Sequence, residues 1–119
     1  MRSRLSLEDP DDEDPFEIDE GNEPHLFKHD HYGTADLLDI WASDPVFFEG
    51  REDGPADWLM VAQVPGEDPL CVPLAPPKSG DPRKARPIGI YRATGELLAS
   101  YRRTILGTYD QWGERDARR

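Results

Sequence analysis

The pattern of apolar and polar positions is nearly empty at the start of the chain and becomes regular past Pro24. Leu37, Leu38, Ile40 and Trp41 mark one helical face, with Thr34 placed as an N-cap. Asp36 falls in the first turn, where the helix dipole favours an anion. Asp44-Pro45 closes this element, because the residue before a proline avoids the α region. The pattern predicts a short helix over 35–43. Val46, Phe47 and Phe48 follow as a brief extended segment, and residues 49–57 read as a polar loop with Gly and Pro punctuation.

Two nearly continuous apolar runs come next, Trp58 to Val64 and Leu70 to Leu74. Pro65-Gly66-Glu67-Asp68-Pro69 between them has the composition of a hairpin loop. Runs that are apolar on both faces belong at the centre of a sheet, and Pro73 then requires an edge or a bulge. Residues 75–87 form a proline-rich, basic loop. Ile88 to Arg92 resumes as a strand, with Ile88 and Ile90 on one face and Gly89 and Tyr91 on the other. Thr94 caps a second helix, Leu97, Leu98, Tyr101 and Ile105 line its apolar face, and Gly107 is its natural stop. The predicted class is α+β: a short antiparallel sheet of three to four strands with an N-terminal and a C-terminal helix.

Charge adds a division of the chain. Of the net −11, the first 24 residues hold −8, ten carboxylates standing against Arg2 and Arg4. Such a segment buries too little surface to offset its ordering entropy. The expected organisation is an acidic disordered tail over 1–24, a single α+β domain over 25–109 and a polar C-terminal tail over 110–119. From Lys78 onward ten basic residues face five acidic ones. That end of the molecule suits a polyanion, or suits the acidic head folding back on it; ordinary charge scatter explains it equally. Cys71 is the only cysteine and reads as a small buried hydrophobe. No apolar run approaches the ~20 residues of a membrane helix, and the N-terminus lacks a signal peptide's apolar core. The expectation is a cytoplasmic protein with no membrane partner.

Several short strings resemble a known family. Phe27-Lys28-His29 through Tyr32-Gly33-Thr34, then Asp36-Leu37-Leu38-Asp39-Ile40 and Asp44-Pro45, are similar to the opening of BrnT-type toxins. Ala85-Arg86-Pro87-Ile88-Gly89-Ile90-Tyr91-Arg92-Ala93-Thr94 is similar to their final strand and helix start, and Tyr101 to a tyrosine in that helix. The resemblance spans about residues 25–105, the central strands by position alone. It implies the RelE-like fold, with helices packed at one side of an antiparallel sheet. It also implies an mRNA-cleaving toxin paired with a cognate antitoxin and acting on RNA, free or at the ribosome. The chain departs from the family in its acidity, in Ile90-Tyr91-Arg92 standing for a Ser-Ala-Arg string, and in the long loop around Pro76-Pro77-Lys78.

RNA cleavage by 2′-hydroxyl attack needs a base, a stabiliser of phosphate charge and an acid; it requires no cofactor and no metal. Arg92, at a strand end before a helix, suits bidentate pairing with phosphate, and equally a structural ion pair. His29, with Lys28 beside it, matches the family's helix-start histidine and titrates near neutrality. These three form the catalytic set that the resemblance suggests. Arg83, Lys84 and Arg86 on the basic loop, with Arg102 and Arg103 on the last helix, form the expected RNA-binding set; solvated loop charges are the plainer account of the first three. His25, His29 and His31 with Asp30 and Asp36 have a rough metal-ligand look, but surface or capping histidines account for them more simply. Two readings stay open. One is the ribonuclease toxin; the other is a non-catalytic interaction module on a toxin-like fold, acting as an inhibitor or adaptor through its acidic tail.

Overall fold

The computed structural model describes residues 10, 14–26 and 32–117. In chain order the elements are α1 (Glu23–Leu26), α2 (Thr34–Trp41), β1 (Val46–Glu49), β2 (Trp58–Ala62), β3 (Leu70–Ala75), β4 (Arg86–Pro87), β5 (Tyr91–Arg92) and α3 (Gly95–Ala117). The α+β class holds: an antiparallel sheet with a helix before it and a helix after it.

Local chemistry sets α2. Gly33, rather than Thr34, occupies the N-cap position, and the Asp36 carboxylate accepts its N–H at 2.6 Å. That is the reciprocal half of a capping box, using the acid that the sequence placed in the first turn. At the other end Ser43 Oγ donates to the Asp39 carbonyl at 2.6 Å. Asp44 then takes φ of 50° ahead of Pro45, and the helix cannot continue.

The sheet runs β1-β2-β3, with β4 and β5 paired to opposite ends of β3. Leu74 and Ala75 face Pro87 and Arg86, whereas Leu70 and Cys71 face Arg92 and Tyr91. The single strand expected over 88–92 is thus two short pieces with a break across Ile88–Ile90. That break accommodates Pro73 in mid-strand. Its missing donor falls between β4 and β5, while its carbonyl accepts the Ile88 N–H at 3.0 Å. The apolar Trp58 run ends as a strand at Ala62.

Period-two alternation sends β2 and β3 into two separate cores. Met60, Ala62, Leu70, Val72 and Leu74 pack with Leu37 and Ile40 of α2. Val61 and Cys71 pack with Tyr101 and the half-buried Leu97 and Leu98 of α3. The helices therefore cover opposite faces, not one side as the family resemblance implied. Strands that are apolar on both faces demand it, since either face left bare would expose a large apolar surface.

Two boundary expectations are overturned. The disordered tail over 1–24 is contradicted for residues 14–24, which lie packed along the β4 edge; residues 1–9 and 11–13 lie outside the described residues. Phe16 pairs with Ala85 in a parallel bridge, the Glu17 N–H donating to the Ala85 carbonyl at 2.8 Å and the Ala85 N–H to the Pro15 carbonyl at 2.9 Å. Phe16 is 5% exposed and meets Trp41 edge-on, ring centroids 5.8 Å apart. Asn22, also buried, donates to the Glu17 and Pro87 carbonyls at 2.8 and 2.9 Å. Net charge hid a short apolar alternation, Phe16 and Ile18, whose burial anchors the segment. The polar C-terminal tail over 110–119 is corrected for residues 110–117, since α3 runs through Gly107 to Ala117; residues 118–119 lie outside the described residues. A mid-helix glycine costs about 1 kcal/mol, too little by itself to end a helix. Gly95 carries the glycine requirement instead, since φ of 57° turns the chain from β5 into α3.

Candidate functional site

A cleft opens where the β2–β3 hairpin meets β5. It is lined by Tyr32, Gln63, Gly66, Glu67, Asp68, Leu70 and Arg92. Its volume of about 450 Å³ falls within the range of small-ligand pockets. Arg92 reaches its wall because β5 pairs with Leu70 and Cys71, which orients the strand end toward the hairpin. Tyr32 comes from the residues just before α2. Burial pushes the Tyr32 hydroxyl above the usual phenol range, and the Glu67 carboxylate adds to the shift. It is therefore a protonated donor at neutral pH.

Arg92 is not bare. Its Nη1 lies 3.5 Å from the Asp68 carboxylate, with both side chains about two-thirds exposed. An exposed pair of this length is weak, so a phosphate could displace the carboxylate. Gln63 spans the two faces of the sheet's end: its N–H donates to the Tyr101 hydroxyl at 3.1 Å, and its side-chain amide donates to the Glu67 carbonyl at 3.4 Å.

The other expected site residues are dispersed. Arg86 is buried and unavailable to RNA, a correction to its place in the RNA-binding set. Its guanidinium donates to Glu17 at 2.9 Å and to both Asp19 oxygens at 2.7 and 2.8 Å. The side chain is only 7% exposed. Burial acts to raise the Glu17 pKa, but hydrogen bonds from the Lys78 and Ser79 N–H groups and from Arg86 outweigh it, and the group is held below the carboxylate range. The Arg86 hydrogen bond also holds Asp19 well below that range.

Lys84 donates to Asp14, to the backbone carbonyl at 2.8 Å and to the carboxylate at 2.9 Å. Arg83 grips Asp81 through two side-chain hydrogen bonds of 3.2 and 3.1 Å. Arg103 pairs with Glu96 at 2.8 Å. Arg102 is exposed and borders a shallow depression with Gln63, Tyr101, Ile105 and Leu106 on the α3 side. Lys28 and His29 lie outside the described residues, as does His31.

Of the expected set, then, only Arg92 stands in the cleft. Of the six described cations in that set, five meet a carboxylate of the chain itself. Tyr32 and Gln63 were not singled out by residue-type reasoning. Tyr32 appeared only as one letter of the family string, and no periodicity marks Gln63, whose role is to end β2. Among the described residues no group of three or more His, Cys, Asp or Glu side chains is placed to hold a metal. No helix among them is long and apolar enough to cross a membrane. Comparison of the chain with protein-family models, with curated proteins and with solved structures finds no match.

Proposed function

We propose that this chain is a divergent RelE/BrnT-like ribonuclease that cleaves mRNA at the Arg92 cleft without a metal, restrained in the cell by a protein partner. One observation carries the reading: Arg92 and Tyr32 line the same cleft, and Tyr32 follows the His29 position by three residues. Lys28 and His29 enter the reading through their closeness in sequence to Tyr32 and through the family resemblance. In this reading Arg92 exchanges Asp68 for the scissile phosphate and steadies its developing charge. His29 takes the 2′-hydroxyl proton, and the protonated Tyr32 or Lys28 supplies one to the leaving oxygen.

The carboxylates set against the other cations favour a second reading: a non-catalytic interaction module that uses the toxin-like fold as a scaffold. With Arg83, Lys84, Arg86 and Arg103 each held by a carboxylate, the affinity that free phosphate contacts would supply is reduced.

Growth after tightly controlled expression in bacteria separates the two. The full-length chain is compared with Arg92→Ala, which removes an exposed side chain, and with His29→Ala, and the melting temperature of each variant checks that it folds. Growth arrest that both substitutions relieve, with RNA fragments ending in cyclic phosphate, supports the ribonuclease. Arrest that neither relieves, or the absence of arrest and of cleavage by the purified chain, rejects it and leaves the interaction module. Removing residues 1–24 is not a suitable variant, because Phe16 and the Arg86 partners go with them.

A further inference from the structure

A second surface lies on the opposite side of the sheet from β5. β1 pairs with β2 alone, so its outer edge is free of any other strand among the described residues. The Gly50 N–H donates to the Asp57 carbonyl at 2.8 Å, which makes that pair a hydrogen-bonded one. Antiparallel alternation then turns the backbone groups of Val46 and Phe48 toward β2 and those of Phe47 outward. Natural sheet edges are commonly blunted by lysine, a bulge or a covering loop. Here the outward residue is Phe47, 42% exposed, and beside it runs a groove of about 260 Å³ lined by Trp41, Asp44, Pro45 and Phe47.

The charge along this edge is predominantly negative, and Arg51, the cation that follows Gly50, pairs with Asp53. From Thr34 to Gly50, which covers α2, the connecting turn and β1, the chain carries Asp36, Asp39, Asp44 and Glu49 and no lysine or arginine. Asp44 lines the groove itself, and Glu49 follows Phe47 on the same face of β1. A second copy of the chain would bring an equal set of carboxylates against these, and RNA would bring phosphates; both are repelled. A positively charged strand is not.

We propose that the β1 edge and the Trp41–Phe47 groove form a docking site for an extended, basic protein segment carrying an apolar anchor residue. The segment adds to the sheet beside β1 through the Phe47 backbone, its anchor enters the groove, and its lysines or arginines meet Asp44 and Glu49. This goes beyond the ribonuclease reading and does not depend on it: the groove and the Arg92 cleft share no lining residue.

The test uses the full chain and a capped nine-residue peptide with lysine and leucine at alternate positions. A control peptide of the same charge carries prolines in place of its central leucines, so it cannot pair as a strand. Binding is followed by anisotropy of the labelled peptide and by amide chemical shifts of the protein. The expected result is binding that weakens at least tenfold in Phe47→Ser and in the proline peptide, with shifts clustered at residues 41–50. Glu49→Lys weakens it further, and the unchanged melting temperature of Phe47→Ser shows that the fold is intact. Two outcomes overturn the proposal. One is no binding; the other is equal binding of both peptides with shifts spread along the acidic residues 14–24, which would mean charge attraction without a site.

Discussion

The Arg86 guanidinium holds the Asp19 carboxylate through two hydrogen bonds, of 2.7 and 2.8 Å, across 67 positions of sequence. With Glu17 as the second acceptor, this clasp fastens the N-terminal segment to β4 and converts the most acidic part of the chain into part of the fold. It also accounts for a buried arginine beside a sheet edge, since a guanidinium loses its hydration there only against charge-paired, hydrogen-bonded partners.

Replacing Arg86 with methionine keeps the aliphatic volume and removes the clasp. Glu17 and Asp19 then face each other without a cation. The expected loss is about 2 kcal/mol of unfolding free energy, from hydrogen bonds to charged groups that are no longer made. Urea denaturation of Arg86→Met against the parent measures it. An unchanged midpoint would mean that the clasp itself contributes nothing to stability.

The same clasp sets an acid dependence. Glu17 and Asp19 both titrate below their ordinary range in the folded chain. A depressed carboxylate stabilises the fold fully above the unfolded value, about 4. The contribution then drains as pH falls toward the lower folded value. Stability should be flat from neutral pH to about 5 in this respect and should decline below about 4. Arg86→Met should decline less steeply. Melts at pH 7, 5, 4 and 3 test the slope, and parallel curves for the two proteins would refute it.

Phe16 anchors the segment from the apolar side. It is 5% exposed and packs edge-on against Trp41. Phe16→Ala should therefore cost about 3 to 5 kcal/mol, as for a buried phenyl ring in a core. A residue in a disordered tail would show no such cost, so thermal unfolding of this variant distinguishes the two arrangements directly.

Cys71, on β3, is fully buried on the face that α3 covers, and burial pushes its thiol up to about 11, an effect only partly offset by a hydrogen bond with Tyr91. Thiolate is the reactive form, so at pH 8 the native chain should resist iodoacetamide. In urea the same residue should react at the rate of a free thiol. Rapid labelling of the native protein would show that the α3 face opens readily.

How much of this was legible in the sequence follows from the range of each interaction. Nearest-neighbour and periodic signals determined the α+β class, α2 with Asp36 in its first turn and its Asp44-Pro45 stop, the two central strands and the start of α3; that Gly33 rather than Thr34 is the N-cap came from the structure. Each depends on residues within a few positions of one another, where backbone sterics and side-chain spacing act directly. The placement of Arg92 at a strand end before a helix was equally legible.

Tertiary structure alone decided the rest. Composition marked residues 14–24 as too acidic to fold, yet Arg86, Lys84, Ala85 and Pro87, all more than sixty positions away, supply their partners. Residue type placed Arg86 among RNA contacts, and its burial against Glu17 and Asp19 removes it from that role. The break between β4 and β5 depends on how Pro73 meets residues 88–90, and the meeting of Tyr32, Gln63 and Arg92 in one cleft depends on where the hairpin lies. A local pattern states what a residue can do. Which of those things it does is set by the partners that chain folding brings within hydrogen-bonding distance, and charge pairing at 3 Å outweighs any average over a segment's composition.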